Sequence, residues 1–176
     1  DGHEIRDLTR GSLRTNYGMV LQDTWIRGGT VKENIVIGKP EATMEEVIAA
    51  AKASRAHDFI KRLPQGYDTV LGERGVTVSG GQKQRISIAR ALMKEAAILI
   101  LDDSVSAVDT KTEKTILQNL RETREGKTTI LIAHRISTIE QMDKILYIEE
   151  GKVIAVGTHE QLLENCPAYK MMNELQ

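Results

Sequence analysis

Between Val78 and Asp109 the chain sets several kinds of chemistry in close succession. Val78-Ser79-Gly80-Gly81-Gln82 places a hydroxyl and two glycines at the head of the helix-favouring run Lys83–Met93. Ser79 can cap that helix, and Gly80 and Gly81 let backbone N–H groups approach a ligand closely. A helix N-terminus with free N–H groups attracts an anion, most often a phosphate. Ala96–Leu101 then forms an apolar strand ending in two adjacent carboxylates, Asp102 and Asp103, before Ser106-Ala107-Val108-Asp109. Such carboxylates can hold Mg²⁺, which prefers carboxylate and water oxygens.

The scaffold for these groups reads as a single domain. The 176 residues are 40% hydrophobic and 28% charged, the composition of a soluble globular domain with a real core. One Trp and one Phe leave that core to aliphatic residues. A net charge of −1 gives no electrostatic argument for nucleic acid or anionic membrane as a partner. The lone Cys166 excludes an internal disulfide. The longest apolar run, Ala96–Leu101, is far short of the roughly 18 residues of a membrane helix.

In chain order, Tyr17–Gln22 predicts a short strand with Gln22 at its end. Thr43-x-x-Glu46 is a capping box opening a helix with Met44, Val47, Ile48, Ala51, Arg55 and Phe59 on one face. Capping boxes are also predicted at Thr110-x-x-Glu113, Ser137-x-x-Glu140 and Thr158-x-x-Gln161. Gly126 fits the end of the helix from Thr110, and Thr128–Ala133 reads as a buried strand with His134 at its end. Ile145–Ile148 and Val153–Val156 form a hairpin around Glu150-Gly151, and Pro167 interrupts the last helix. The bases Lys83, Arg85, Arg90 and Lys94 read as a solvated helix face.

Ser-Gly-Gly alone is an ordinary helix-opening turn. Followed in order by the Gln82 helix, the Leu101-Asp102-Asp103 strand end and Ser106–Asp109, it resembles the signature motif, Walker B strand and D-loop of an ATP-binding cassette (ABC) ATPase. The resemblance covers essentially the whole chain. It implies an α/β fold, a P-loop NTPase-type parallel sheet with a helical subdomain at about residues 30–64. It also implies ATP and Mg²⁺ as ligands. Gln22 would be the Q-loop glutamine, reaching Mg²⁺ and the attacking water, and Asp102 would hold Mg²⁺ through water. Asp103 sits at the catalytic base, and His134 would be the switch histidine on the γ-phosphate. Ser79, Gly80, Gly81 and Gln82 would bind ATP held by a second nucleotide-binding domain, and Asp109 would communicate across that dimer. Leu71-Gly72-Glu73-Arg74-Gly75 resembles the X-loop of exporters, which contacts the membrane domain.

Two departures qualify the resemblance. The P-loop pattern G-x-x-x-x-G-K-[ST] fits nowhere; Gly126-Lys127-Thr128 lacks the upstream glycine, where Arg121 stands. With Asp1 rather than Met at the start, the resemblance implies roughly the last three-quarters of a cassette. Its P-loop strand would belong between the strands at 128–133 and 145–148, and both would present open edges without it. The second departure is Asp103, where most of the family has glutamate. Aspartate at this place marks the degenerate-site subunit of heterodimeric exporters, so the implied parent is such a subunit, with its own membrane domain, at the cytoplasmic face of the membrane. The alternatives are a non-hydrolysing dimerisation module and a DNA-repair ABC ATPase; the Leu71–Gly75 loop and the lack of coiled-coil heptads weigh against the second.

Overall fold

Strands β1 (Tyr17–Val20), β4 (Ile98–Asp102) and β5 (Thr128–Ile132) form a parallel sheet in the order β1-β4-β5 in the computed structural model, which describes residues 2–72 and 75–176. Tyr17 stands level with Ile98 and Thr128, and Val20 with Leu101 and Leu131. All three strands therefore end at one edge, where open α/β sheets place their ligands. The intervening elements are α1 (Arg10–Thr15), the short pair β2 (Gly29–Thr30) and β3 (Val70–Leu71), and helices α2 (Val31–Ile35), α3 (Met44–Ala53), α4 (His57–Ile60), α5 (Gly80–Met93) and α6 (Thr110–Thr123).

Helix α5 is buried on two sides. Ile86, Ala89 and Met93, at helical spacing, pack with Val31, Ile35, Val47, Ala51, Phe59 and Ile60 from the helical stretch. Ile88 and Ala91 pack with Val20, Leu99, Leu101, Ile116 and Leu120, the covered face of the sheet. The opposite face of the sheet stays open: Met19, Leu21, Ile130 and Ile132 are each about half exposed. The strand at 128–132 is thus an exposed one, contrary to the sequence expectation. Alternation turns only Leu131 to the core, and β5 has no second strand neighbour among the described residues.

The helix opened by Thr43 and Glu46 has its predicted capping box but stops at Ala53 instead of running to Phe59. Arg55 takes a left-handed φ of +58°. Ala56 N–H donates to Ala51 O and Arg55 N–H to Lys52 O, the Schellman closure, here without glycine. Asp109, not Thr110, caps α6, its Oδ1 accepting from Thr112 N–H. Aspartate is the stronger cap of the two, and it stands one residue earlier.

Residues 133–176 form a second compact unit. It comprises α7 (Ile136–Ile139), the antiparallel hairpin β6 (Ile145–Glu149) and β7 (Lys152–Gly157), α8 (His159–Asn165) and α9 (Pro167–Glu174). Glu150 and Gly151 both adopt positive φ, which matches a tight hairpin turn. Thr158 and Gln161 form their capping box, whereas α7 begins after Arg135 with no side-chain cap, so Ser137 lies inside it. Ile136, Ile145, Leu162, Cys166 and Tyr169 make this unit's core. β6 pairs only with β7 among the described residues. Among the described residues β5 and β6 thus each have one edge without a strand neighbour. Among the described residues no helix is long and apolar enough to cross a membrane.

Candidate functional site

Ser79 caps α5 through a reciprocal capping box: Gln82 N–H donates to Ser79 Oγ, and Ser79 N–H donates to Gln82 Oε1 at 2.8 Å. Sequence reasoning assigns Ser79 as a cap without the reciprocal bond to Gln82, and it does not name the similar box at Thr30 and Glu33 that opens α2, although both follow the S/T-x-x-E/Q pattern. Ser79 and Gly80 are exposed, and the capping box uses the N–H groups of Ser79 and Gln82, so the first-turn donors this end of α5 offers to an anion are the N–H groups of Gly80 and Gly81. A Cβ on Gly80 would meet nothing nearer than 3.9 Å. A Cβ on Gly81 would lie 2.7 Å from Ala107 O. Gly81 is therefore required by the chain's own backbone, before any ligand is considered.

The turn that presses on Gly81 follows the two carboxylates. Asp102 ends β4, level with Ile132 of β5, and Asp103 leaves it in a left-handed conformation with φ +44°. Both are half-buried. Asp103 N–H donates to Ile132 O at 2.9 Å, while Asp103 O accepts from Ser106 Oγ at 2.8 Å. Hydrogen bonds from Thr112, side chain first and then backbone, hold the Asp109 carboxyl below the usual carboxylate range. Gln22 leaves β1 two residues past Val20, as Asp103 leaves β4 two residues past Leu101. Ser79–Gln82, Asp102, Asp103, Asp109 and Gln22 thus belong to one unit, the last four positions around the sheet's C-terminal edge and its following turn. His134 belongs to the second unit, where it is exposed and its carbonyl accepts from Gln176 Nε2. Glu73 and Arg74 of the X-loop-like stretch lie outside the described residues.

Asp102 and Asp103 bring carboxylate oxygens to the C-terminal end of β4, the donor chemistry Mg²⁺ takes. Among the described residues no group of three or more His, Cys, Asp or Glu could hold a metal. One or two carboxylates suffice where substrate phosphates and water complete the shell, so the residues fit Mg²⁺ carried in with a nucleotide.

Three of the bases read as a solvated helix face, Arg85, Arg90 and Lys94, are instead bound to backbone carbonyls. Arg85 Nη1 donates to Arg55 O at 2.9 Å and Nε to Gly81 O, with its guanidinium 4.7 Å from the Phe59 ring centroid. Arg90 donates to Asn34 O and Asn34 Oδ1 and lies 4.7 Å over Trp25. Burial pushes both guanidinium pKa values down. Lys94 Nζ donates to Arg14 O and Tyr17 O. Backbone carbonyls recruited these cations, and no linear pattern marks such partners in advance. Sequence reasoning also missed Gln84, buried on α5 and bonded to the turn after Asp103.

Residues 1–106 match the family model described as ABC transporter. The chain is 50% identical over all 176 residues to a Bacillus subtilis (strain 168) protein named as the multidrug export ATP-binding/permease protein YgaD. It is 51% identical to the correspondingly named protein of Staphylococcus aureus (strain NCTC 8325). In each case it spans 30% of the relative's length. It superposes over its full length, with a TM-score of 0.94 and 46% identity, on 31% of a chain whose structure is titled as a bacterial Atm1-family ABC exporter with ATP bound. The chain belongs to the ABC transporter family and is part of its nucleotide-binding domain.

Proposed function

We propose that this chain serves a membrane exporter by completing, with the N-terminus of α5, an ATP site whose remaining half lies on a second nucleotide-binding domain. The observation that carries this reading is the exposed, capped Ser79–Gly81 end of α5, held by Gly81 and Ala107 against the turn that follows Asp102 and Asp103. Its backbone donors would meet a γ-phosphate presented across the dimer, and Asp109 would lie on the same turn, signalling across it. Asp102 and Gln22 would hold Mg²⁺, which neutralises phosphate charge when bound. Asp103 occupies the place of the base that orients attacking water in this subunit's own ATP site, which is distinct from the partner-held nucleotide met by α5, and His134 would be the switch histidine that contacts a γ-phosphate. Residues 30–64 would be the helical subdomain that meets the membrane domain of the parent chain. The relatives' fused ATP-binding/permease names support such a parent, acting at the cytoplasmic face of a membrane.

Asp103 favours a heterodimer with an impaired site on this subunit. An aspartate reaches about 1.5 Å less far than glutamate, and a general base works at about 2.6–3.2 Å. The same observation supports a second reading, a module that binds ATP and locks the dimer without hydrolysing it. The first reading is tested in the full-length protein with its partner by Gly80→Asp, which sets a like charge where phosphate should bind. Turnover should fall by at least tenfold although the residue touches no nucleotide of its own subunit. Unchanged ATP hydrolysis and transport would count against the trans role.

A further inference from the structure

Gln84 lies two residues past the capping box of α5 and is only 5% exposed. Its side-chain amide spans the turn after the paired carboxylates. Gln84 Oε1 accepts from Ala107 N–H at 3.1 Å, and Gln84 Nε2 donates to Asp103 O at 3.5 Å. The partners fix the amide's orientation, since a backbone N–H only donates and a carbonyl only accepts. Asp103 needs such support. Its left-handed φ of +44° is uncommon outside glycine and persists where the surroundings over-determine it. Ile132 O holds its N–H, and Ser106 and Gln84 hold its carbonyl. Ser104, buried within the turn, has a hydroxyl with no hydrogen-bond partner, so its side chain adds no polar anchor. The turn's far end presses on Gly81, where a Cβ would sit 2.7 Å from Ala107 O. One rigid helix thus carries both the anion-binding end and the clamp on Asp103.

We propose that Gln84 is a positioning residue that couples occupancy of the Ser79–Gly81 end of α5 to the direction in which Asp103 presents its carboxylate. This rests on the nucleotide reading above and extends it to how the two halves of the dimer's chemistry communicate within one subunit. A displacement of the first turn of α5 by a bound phosphate moves Ala107 through Gly81. Gln84 transmits the same displacement to Asp103 O, at the other end of the turn. Removing the amide leaves both binding ends intact and uncouples them.

The test uses the full-length protein with its partner, in wild type, Gln84→Met and Gln84→Glu. Amide exchange with and without a non-hydrolysable ATP analogue comes first. In the wild type the analogue should slow exchange at residues 80–83 and at 103–107 together. In Gln84→Met it should slow 80–83 only, and with the partner's own catalytic glutamate disabled the residual kcat for ATP should fall at least tenfold with KM within about twofold. Gln84→Glu gives a readout that loss of packing would not. Its neutral carboxyl can donate to Asp103 O as the amide does, while its ionised form cannot. Burial raises that carboxyl above the ordinary value of about 4.3. That residual activity should therefore be recovered below the raised pKa and lost as pH rises through it, relative to wild type at each pH. Protection at 103–107 that survives in Gln84→Met, or a Gln84→Glu profile parallel to wild type, overturns the inference. Absence of analogue protection at 80–83 in the wild type overturns the nucleotide reading itself and the inference with it.

Discussion

At Asp103 two requirements meet in one side chain. The backbone turns left-handed there, which aspartate tolerates better than longer residues, while the proposed chemistry favours the longer reach of glutamate. In the full-length heterodimer, with the partner's own catalytic glutamate disabled, Asp103→Glu should raise the residual ATP hydrolysis severalfold. An unchanged background would show that something other than reach limits this site. The paired carboxylates and the Ser-Gly-Gly turn were legible because their types and order are unusual. Gln84 and Arg90 were not, since a glutamine or arginine in a helix reads as solvated until its backbone partner is known. The glycines were legible as permissive, but the sequence could not say that Gly81 yields to Ala107 O.

Among elements, α5 connects the molecule's parts. One side joins the helices at 31–60, the other joins the sheet, and its arginines bind the Arg55 carbonyl after α3 and the Asn34 carbonyl within α2. Helix types followed from apolar periodicity and caps, and the Thr43 and Thr158 boxes stand where predicted. The break after α3 was illegible because Arg55 fills the left-handed position that glycine ordinarily marks. Arg85 holds the Arg55 carbonyl there, a contact 30 residues away in sequence. Glycine would relieve the conformational cost while keeping that carbonyl, at the loss of a partly exposed 3.7 Å ion pair with Asp58. Arg55→Gly should therefore leave stability unchanged or raise it by up to about 1 kcal/mol, measured as the midpoint shift in denaturant unfolding. A loss of more than about 1 kcal/mol would mean that the arginine side chain itself holds the turn.

Over the whole chain, apolar surface remains uncovered in both units. Met19, Leu21, Ile130 and Ile132 line the open sheet face, and Leu146, Ile148, Val153 and Val156 are more than half exposed on the hairpin. Open strand edges with apolar neighbours recruit other chains. The 176 residues by themselves should be marginally folded or self-associated, read by light scattering with thermal unfolding and a dye for apolar surface. A monodisperse monomer with a sharp transition and no dye binding would contradict this. The parallel sheet was legible from Ala96–Leu101 and the strand at 128–132, but the exposure of β5 was not: an apolar run reports what a strand is suited to pack against, not what is present to cover it.

The central claim is that the Ser79–Gly81 end of α5 reads the γ-phosphate of a nucleotide held by a second domain. Amide exchange at residues 80–83 of the full-length protein, with ATP analogue, with ADP and with no nucleotide, tests it directly. Protection is predicted with the analogue, in the presence of the partner domain, and not with ADP. No protection with the analogue, or equal protection by ADP, would contradict the claim.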